Sequence, residues 1–167
     1  TERKLSELAL HESEKRYRAL FEGNSVVMLL VDPATGDIID ANEAATHYYG
    51  WPRRTMQKMT VYDINTMPRE ELQRDIGKSE RTEINHFFFK HKLANGEVRD
   101  VEVFSGPIKL GDKTILHSSI IDVTEKRALE NLKEDVDRIM RHDLKTPLNA
   151  IVGMPQLLEL DSNLTQE

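Results

Sequence analysis

The chain has 167 residues, of which 38% are hydrophobic and 31% charged, and its formal net charge is −6. This length suits one domain with appended helices, and the acidic balance disfavours a protein that binds nucleic acid by neutralising phosphates. Cysteine is absent, which excludes disulfides, thiolate metal sites and cysteine nucleophiles, and no apolar run approaches the roughly 20 residues of a membrane span.

The first predicted element is a helix over residues 1–22, which are rich in charge and lack glycine and proline. Its apolar residues are too sparse for it to pack alone, so we expect it to form a two-chain coil or to cap the following domain. Gly23 is its expected C-cap. Because the chain starts at Thr1, we expect a cytoplasmic fragment of a longer protein, and we leave open whether the parent is membrane-anchored.

Residues 23–124 form the expected central domain, since they carry the strand signals. Asp32–Gly36 predicts a turn between two strands, and Asn95-Gly96 predicts a tight hairpin. The predicted order is strand, strand, short helices and then three antiparallel strands, which indicates an α+β fold. The strands are expected at 26–32, 38–41, 82–93, 97–109 and 114–123, and the helices at 42–49 and 68–78.

Residues 125–167 form the third expected segment, a long helix with interleaved acidic and basic residues. Its apolar residues recur at steps of three and four, which is typical of a coiled-coil or bundle seam. Pro147 interrupts this pattern, and a new helix could begin at Thr146-Pro147, but the seam continues past it, so we favour one helix kinked below His142. The seam runs through Leu129, Leu132, Val136, Ile139, Met140, Leu144, Leu148, Ile151 and Leu158.

One histidine in this helix has a distinctive position. On a helical wheel His142 lies opposite the apolar stripe, so its imidazole is expected to face solvent, where a neutral ring nitrogen can act as a nucleophile. Asp143 is adjacent and could orient the ring or accept a proton. The other histidines have no metal-ligand spacing and are interpreted as ordinary surface or core residues, so no metal site is expected; they are His11, His47, His86, His91 and His117.

The stretch His142-Asp143-Leu144-Lys145-Thr146-Pro147-Leu148 resembles the H-box of sensor histidine kinases. The resemblance implies that His142 accepts the γ-phosphoryl group of ATP, that Asp143 acts as acid or base, and that Thr146 assists a phosphatase reaction. It also implies a homodimeric four-helix bundle, a response regulator receiver domain as the phosphoryl acceptor, and an ATP-binding domain of the same parent chain that supplies ATP and Mg²⁺.

Residues 17–124 resemble a PAS sensor domain. The resemblance rests on Tyr17–Glu22, on Asp37–Ala45 followed by Tyr49-Gly50-Trp51, on Leu93–Glu97, and on Asp122-Val123-Thr124, which is similar to the exit motif of these domains. It implies a five-stranded antiparallel sheet with short helices, and it implies that Asp122 and Thr124, with Pro147, couple the sensor to the output helix. The sequence departs from the family at Thr55-Met56-Gln57-Lys58, where Glu-Leu-x-Gly is usual.

The signal that such a domain senses is not evident from the sequence. Cysteinyl-flavin is disfavoured because cysteine is absent, and haem because residues 68–78 contain no histidine. The expected pocket walls, which plain core packing would also explain, are Met28, Leu30, Ile39, Ala45, Tyr48, Phe87, Phe89, Ser119 and Ile121. The expected function is therefore that of a histidine kinase fragment without its ATP site, and the alternative is a non-catalytic PAS interaction module with a coiled-coil tail.

Overall fold

The computed structural model describes residues 1–81 and 83–164, except for the side chains of residues 148–164. It has the PAS fold, a mixed α+β arrangement in which a five-stranded antiparallel sheet is flanked by helices at both ends of the chain, as expected. The elements are α1 (Glu2–Glu22), β1 (Val27–Val31), β2 (Ile38–Ala41), α2 (Glu43–Tyr49), α3 (Arg53–Met56), α4 (Val61–Ile64), α5 (Arg69–Arg81), β3 (Asn85–Lys92), β4 (Val98–Leu110), β5 (Lys113–Asp122) and α6 (Thr124–Leu164).

The sheet has the strand order β2-β1-β5-β4-β3, and every neighbouring pair is antiparallel. Successive side chains of a strand point to opposite faces, so each strand contributes to two environments. One face packs against α2, α3, α4 and α5 and forms the main core, which includes Leu29, Val31 and Leu116. The other face forms a smaller cluster in which Leu30 meets Phe21 of α1.

Asn42 explains why α2 begins where it does. Its side-chain oxygen accepts hydrogen bonds from the amides of Ala45 and Met28, each 3.0 Å long, and its Nδ2 donates to the carbonyls of Phe21 at 3.0 Å and Val26 at 2.9 Å. This fully buried side chain is therefore satisfied on every side. It caps α2 and ties the end of α1 to the first strand.

The segment that departs from the family pattern, Thr55–Lys58, overlaps the end of α3, and a second helix of four residues, α4, follows it. Met56 ends α3 and is completely buried, so this position serves the core. Thr60 begins α4 through a capping box with Asp63, whose carboxylate accepts from the Thr60 amide at 2.7 Å. Neither helix was predicted, because four residues are too few to display a helical period.

The chain divides into two compact units, residues Thr1–Thr124 and residues Glu125–Glu167. The first contains α1 and the sheet with its helices, and the second is built on α6. Helix α6 continues through Pro147 and does not restart there. The side chains of Leu148, Ile151 and Leu158, which were expected to extend its apolar seam, lie outside the described residues, as does Thr82. Among the described residues, no helix combines the length and apolar character needed to cross a bilayer.

Candidate functional site

A cavity lies inside the first unit, between the sheet and helices α4 and α5. Its volume is about 60 Å³, which is enough for a few water molecules. Its walls are Leu29, Val31, Val61, Ile64, Asn65, Leu72, Asp75, Ile76, Ser79, Phe87, Phe89, His91, Val103, Ser105, Leu116, Ser118 and Ile120. The walls are mainly aliphatic and aromatic, with a few polar groups, as in many small-molecule sites.

The polar groups of the cavity are held by specific hydrogen bonds. Ser105 and Ser118 lie opposite each other on β4 and β5, and their hydroxyls are 2.9 Å apart. Ser79 of α5 donates to the carbonyl of Asp75 at 3.2 Å. The Nδ1 atom of His91 lies 2.8 Å from the hydroxyl of Tyr49. Burial lowers the pKa of His91 from 6.5 to about 4, so its imidazole is neutral at pH 7.

The structure places only two of the expected pocket residues at this cavity. Phe87 and Phe89 of β3 line it, whereas the other expected residues do not. Met28 and Leu30 on β1 and Ser119 and Ile121 on β5 are displaced by one position from the residues that line this cavity, which places them on the opposite face of the sheet. Ile39 is exposed, Ala45 belongs to the main core, and Tyr48 binds a residue near the end of β5.

The cavity residues that sequence reasoning missed carry a usable signal. His91 follows Phe87 and Phe89 at the same two-residue spacing, so it shares their face of β3. The pairing of Phe87 with Val103 and of Phe89 with Val101 then assigns the inner face of β4. Ser79 and Asn65 have no such signal, because their positions depend on how α4 and α5 pack on the sheet.

Asp122 lies at the point where β5 ends and α6 begins. Its Oδ2 accepts a 2.8 Å hydrogen bond from the Tyr48 hydroxyl, and its Oδ1 accepts one of 2.9 Å from the amide of Thr124. Burial raises the pKa of Asp122, but the hydrogen bonds from Thr124 and Tyr48, together with nearby Arg99, outweigh burial and lower the pKa below its ordinary value. The carboxylate is therefore charged and held on two sides.

Thr124 is fixed to the sheet on its other side. Its hydroxyl accepts from the amide of Asp100 at 2.9 Å, and the amide of Val123 donates to the carbonyl of Asp100 at 2.9 Å. Residues 122–124 are thus attached both to β4 and, through Tyr48, to α2. The predicted coupling residues Asp122 and Thr124 lie together here, while Pro147 lies far along α6 in the second unit.

His142 is strongly exposed on α6, with 82% of its side chain accessible to solvent. Its Nδ1 lies 3.5 Å from Oδ1 of Asp143. Thr146 lies one turn further along and donates its hydroxyl to the carbonyl of His142 at 3.3 Å. The three residues of the resemblance therefore lie on one exposed stretch of helix, and a ring nitrogen of His142 is accessible to a reactant.

An apolar stripe runs along the described part of α6. Each of its members is at least 43% exposed in the single chain. The stripe consists of Leu129, Leu132, Val136, Ile139, Met140 and Leu144. A helix with such a stripe is usually covered by a partner.

The comparisons with known proteins agree with this fold. Residues 15–85 match the family described as PAS domain. The PAS domain of an HTR-like protein from Haloarcula marismortui superposes with a TM-score of 0.63 at 20% identity, covering 71% of this chain and 98% of that one. A domain of a sensory box sensor histidine kinase/response regulator from Geobacter sulfurreducens gives a TM-score of 0.57 at 21% identity, with 66% and 95% covered. The chain therefore contains a PAS domain.

Curated relatives belong to more than one class of protein. Diguanylate cyclase DgcM of Escherichia coli (strain K12) is 35% identical over 156 residues, which cover 87% of this chain and 36% of that protein. Sporulation kinase E of Bacillus subtilis (strain 168) is 27% identical, covering 95% of this chain and 22% of the kinase. Virulence sensor protein BvgS of Bordetella bronchiseptica is 25% identical, with 93% and 14% covered. The chain thus spans about a third or less of each of these relatives.

Proposed function

We propose that this chain, which contains the PAS sensor domain of a signal-transduction protein, is part of a two-component sensor histidine kinase, and that His142 is its phosphoacceptor. The observation that carries the proposal is the arrangement at His142, where an exposed imidazole is flanked by Asp143 and followed one turn later by Thr146. A purely structural coiled-coil tail has no need for this combination.

The geometry supports a defined division of work between the two ring nitrogens. The carboxylate of Asp143 lies on the Nδ1 side of His142, which favours the tautomer with its proton on Nδ1 and leaves a lone pair on Nε2. In the proposed reaction Nε2 attacks the γ-phosphorus of ATP, a P–N bond forms, the bond to the bridging oxygen breaks and ADP leaves. The Nδ1 proton can then pass to Asp143. ATP and Mg²⁺ are supplied by another domain of the parent chain.

Signals are proposed to reach α6 through Asp122 and Thr124. Asp122 accepts hydrogen bonds both from Tyr48 of α2 and from the amide of Thr124, the first residue of α6. The neighbouring Tyr49 is bound to His91 in the cavity wall. A change at the cavity that moves α2 would therefore disturb the hydrogen bonds that define the start of the output helix, and it would shift the population of its states.

The proposed partners follow from the same helix. A second copy of the chain would cover the apolar stripe of α6 in a homodimer, and a response regulator receiver domain would accept the phosphoryl group from His142. Sporulation kinase E and a sensor protein are among the relatives, which supports this assignment of the parent.

The diguanylate cyclase relative supports a second candidate function. Its identity of 35% is higher than that of the kinase relative, so the PAS domain could instead control a cyclase. In that case the stretch from His142 to Leu148 would be helix surface without phosphoacceptor chemistry. In a non-catalytic PAS interaction module, too, His142 would not be phosphorylated.

Phosphorylation in trans distinguishes the histidine kinase from these two alternatives. The chain is incubated with Mg²⁺, labelled ATP and the ATP-binding domain of a histidine kinase that phosphorylates its substrate helices in trans. We expect an acid-labile, base-stable phosphate on His142 that disappears in His142→Gln and persists in the matched control His11→Gln. Thr146→Ala should still be labelled. Labelling that survives His142→Gln would contradict the proposal.

A further inference from the structure

Two polar side chains of the cavity have hydrogen-bonding capacity that the protein does not use. Asn65 and His91 are 8% and 7% exposed, both line the cavity, and they are joined by an isolated antiparallel bridge between their backbones. Within the part of the chain that the structure describes, neither Nδ2 of Asn65 nor Nε2 of His91 has a hydrogen-bond partner. Polar groups in nearly buried side chains normally bind a protein group or an ordered water.

Both free nitrogens are donors. The Oδ1 of Asn65 accepts from the amide of Met67 at 2.9 Å, which fixes the orientation of the amide group and leaves its NH₂ without a partner. Tyr49 is completely buried, and its hydroxyl has His91 as its partner at 2.8 Å. Since a neutral tyrosine hydroxyl needs an acceptor, it donates to Nδ1, and the single proton of the neutral imidazole then lies on Nε2.

The charge of the cavity limits what these donors can bind. Among the described residues, no lysine or arginine lines the cavity, and the carboxylate of Asp75, which does, is paired with Lys78 at 2.8 Å. An anion would therefore lose its hydration without gaining a cation of its own. A neutral acceptor avoids this cost, and it fills the space that a few waters would otherwise occupy.

We propose that the cavity binds a small neutral carbonyl compound of a few non-hydrogen atoms, whose oxygen accepts hydrogen bonds from Asn65 and His91. The aliphatic and aromatic walls contact the rest of the molecule. This proposal names the class of signal for the PAS domain, and it rests on the sensing role proposed above.

Binding is tested with acetamide and acetate, which have equal numbers of non-hydrogen atoms and differ in charge. The ring resonances of His91 are followed by NMR in the full chain at pH 7. A ligand of this size binds no more tightly than about 40 µM, so titrations extend to 50 mM. We expect a saturable shift with acetamide and none with acetate. Equal responses to both compounds, or no saturable response to acetamide, would overturn the proposal.

A pair of matched variants tests the role of Asn65. Asn65→Asp keeps the oxygen that accepts from Met67 but removes the donor, so we expect acetamide affinity to fall about 3- to 10-fold. In Asn95→Asp the same exchange occurs at an exposed turn, where Asn95 accepts from Glu97 at 2.9 Å, and affinity should not change. Equal affinity in Asn65→Asp and the wild type would remove Asn65 from the site.

The binding test is independent of the phosphorylation test. If Asn65→Asp does not fold, the discrimination between acetamide and acetate by the wild-type chain still decides the proposal. Phosphorylation of His142 without acetamide binding would refute the ligand class and leave the kinase assignment intact. Binding of acetamide without phosphorylation of His142 would support the ligand class and refute the kinase assignment.

Discussion

At the scale of single residues, His91 shows how burial links protonation to stability. Its pKa falls from 6.5 in the unfolded chain to about 4 in the folded protein, so the unfolded chain binds the extra proton first as the pH drops. Stability is therefore complete above pH 6.5 and is lost progressively down to about pH 4. We expect this single group to account for roughly 3 kcal/mol across that window.

His91→Gln should remove this contribution, because glutamine can still accept from Tyr49 but cannot titrate. Denaturant unfolding between pH 4.5 and 7.5 should show a flatter dependence of stability on pH than in the wild type. His47→Gln, at an exposed position on α2, is the control for the exchange of histidine for glutamine. The prediction is wrong if both variants keep the wild-type slope.

Asp122 has the opposite chemistry, since its hydrogen bonds lower the pKa of a carboxyl group whose ordinary value is 3.8. The stabilising effect of its charge is present above that value and is lost as the pH falls through the lower folded pKa. We expect Asp122→Asn to cost about 0.5 to 1 kcal/mol at pH 6, a difference that shrinks below pH 3.8.

Thermal unfolding at pH 6 and pH 3 measures this difference. Asp112→Asn, in the turn between β4 and β5, provides a control carboxylate with no expected effect. If Asp122→Asn has the same cost at both pH values, the substituted amide disturbs packing and the charge of Asp122 is not responsible.

The cavity residues also show what can be predicted at this scale. Residue type identified suitable apolar strands, but the face of a strand depends on parity, and an error of one position exchanges the faces. The three phenylalanines of β3 do not settle the choice, since Phe88 is half-exposed while Phe87 and Phe89 line the cavity. On β1 every residue from Val27 to Val31 is apolar, so no alternation distinguishes the faces.

At the scale of secondary-structure elements, the apolar stripe of α6 leads to a prediction about association. Leu132 lies within the stripe and is 59% exposed in the single chain. We expect the chain to dimerise and Leu132→Asp to shift it to a monomer, because the charge would have to be buried in the seam. Light scattering on a size-exclusion column at protein concentrations above 100 µM measures the mass.

The neighbouring residue provides the control. Asn131 lies about 100° from Leu132 around the helix, away from the stripe, so Asn131→Asp adds the same charge without burying it. This variant should remain dimeric. A wild-type chain that is monomeric at all concentrations would contradict the homodimer proposed through α6.

Helix α1 is attached to the rest of its unit chiefly near its C-terminal end, where Arg53 of α3 binds two carboxylates. The guanidinium of Arg53 donates to Asp40 of β2 at 2.7 and 2.6 Å and pairs with Glu22 of α1. We expect Arg53→Met to raise amide hydrogen exchange at residues 18–22 about 2- to 5-fold, because partly exposed ion pairs contribute on the order of 1 kcal/mol or less. Exchange in the sheet should not change.

Arg54→Met tests the same substitution at the adjacent exposed position. It should have no effect on the exchange of α1. A similar increase in both variants would indicate that α3 is disturbed as a whole, and that the ion pairs of Arg53 do not hold the end of α1.

Prediction of the elements succeeded where length or turn chemistry gave a signal. The hairpin at Asn95-Gly96 is present, with Gly96 at a φ of 86° as a tight turn requires. The α2 helix starts at its Asn42 cap and ends at Gly50 as expected. Helices α3 and α4 were missed because their positions are set by tertiary contacts, such as the complete burial of Met56.

At the scale of the whole molecule, the fold could be predicted from the sequence, but the type of output that the domain controls was harder to predict. The order of strands and helices indicates α+β, and the motifs of residues 17–124 indicate the PAS fold, which the structure has. Proteins similar to this chain are named as a diguanylate cyclase, a kinase and a virulence sensor. Assignment of the output therefore depends on His142 and the six residues after it.

The hydrogen bonds around Thr124 bear on how such proteins diversify. Asp122, Thr124 and Asp100 all precede the boundary between the two compact units, so the first unit shapes the beginning of the output helix using only its own residues. Recombination of genes just after the codon for Thr124 would transfer the sensor domain together with the residues that bind the start of the helix. New outputs would need only to continue a helix in the correct rotational phase, and one ancestral sensor could have been reused with unrelated enzymes.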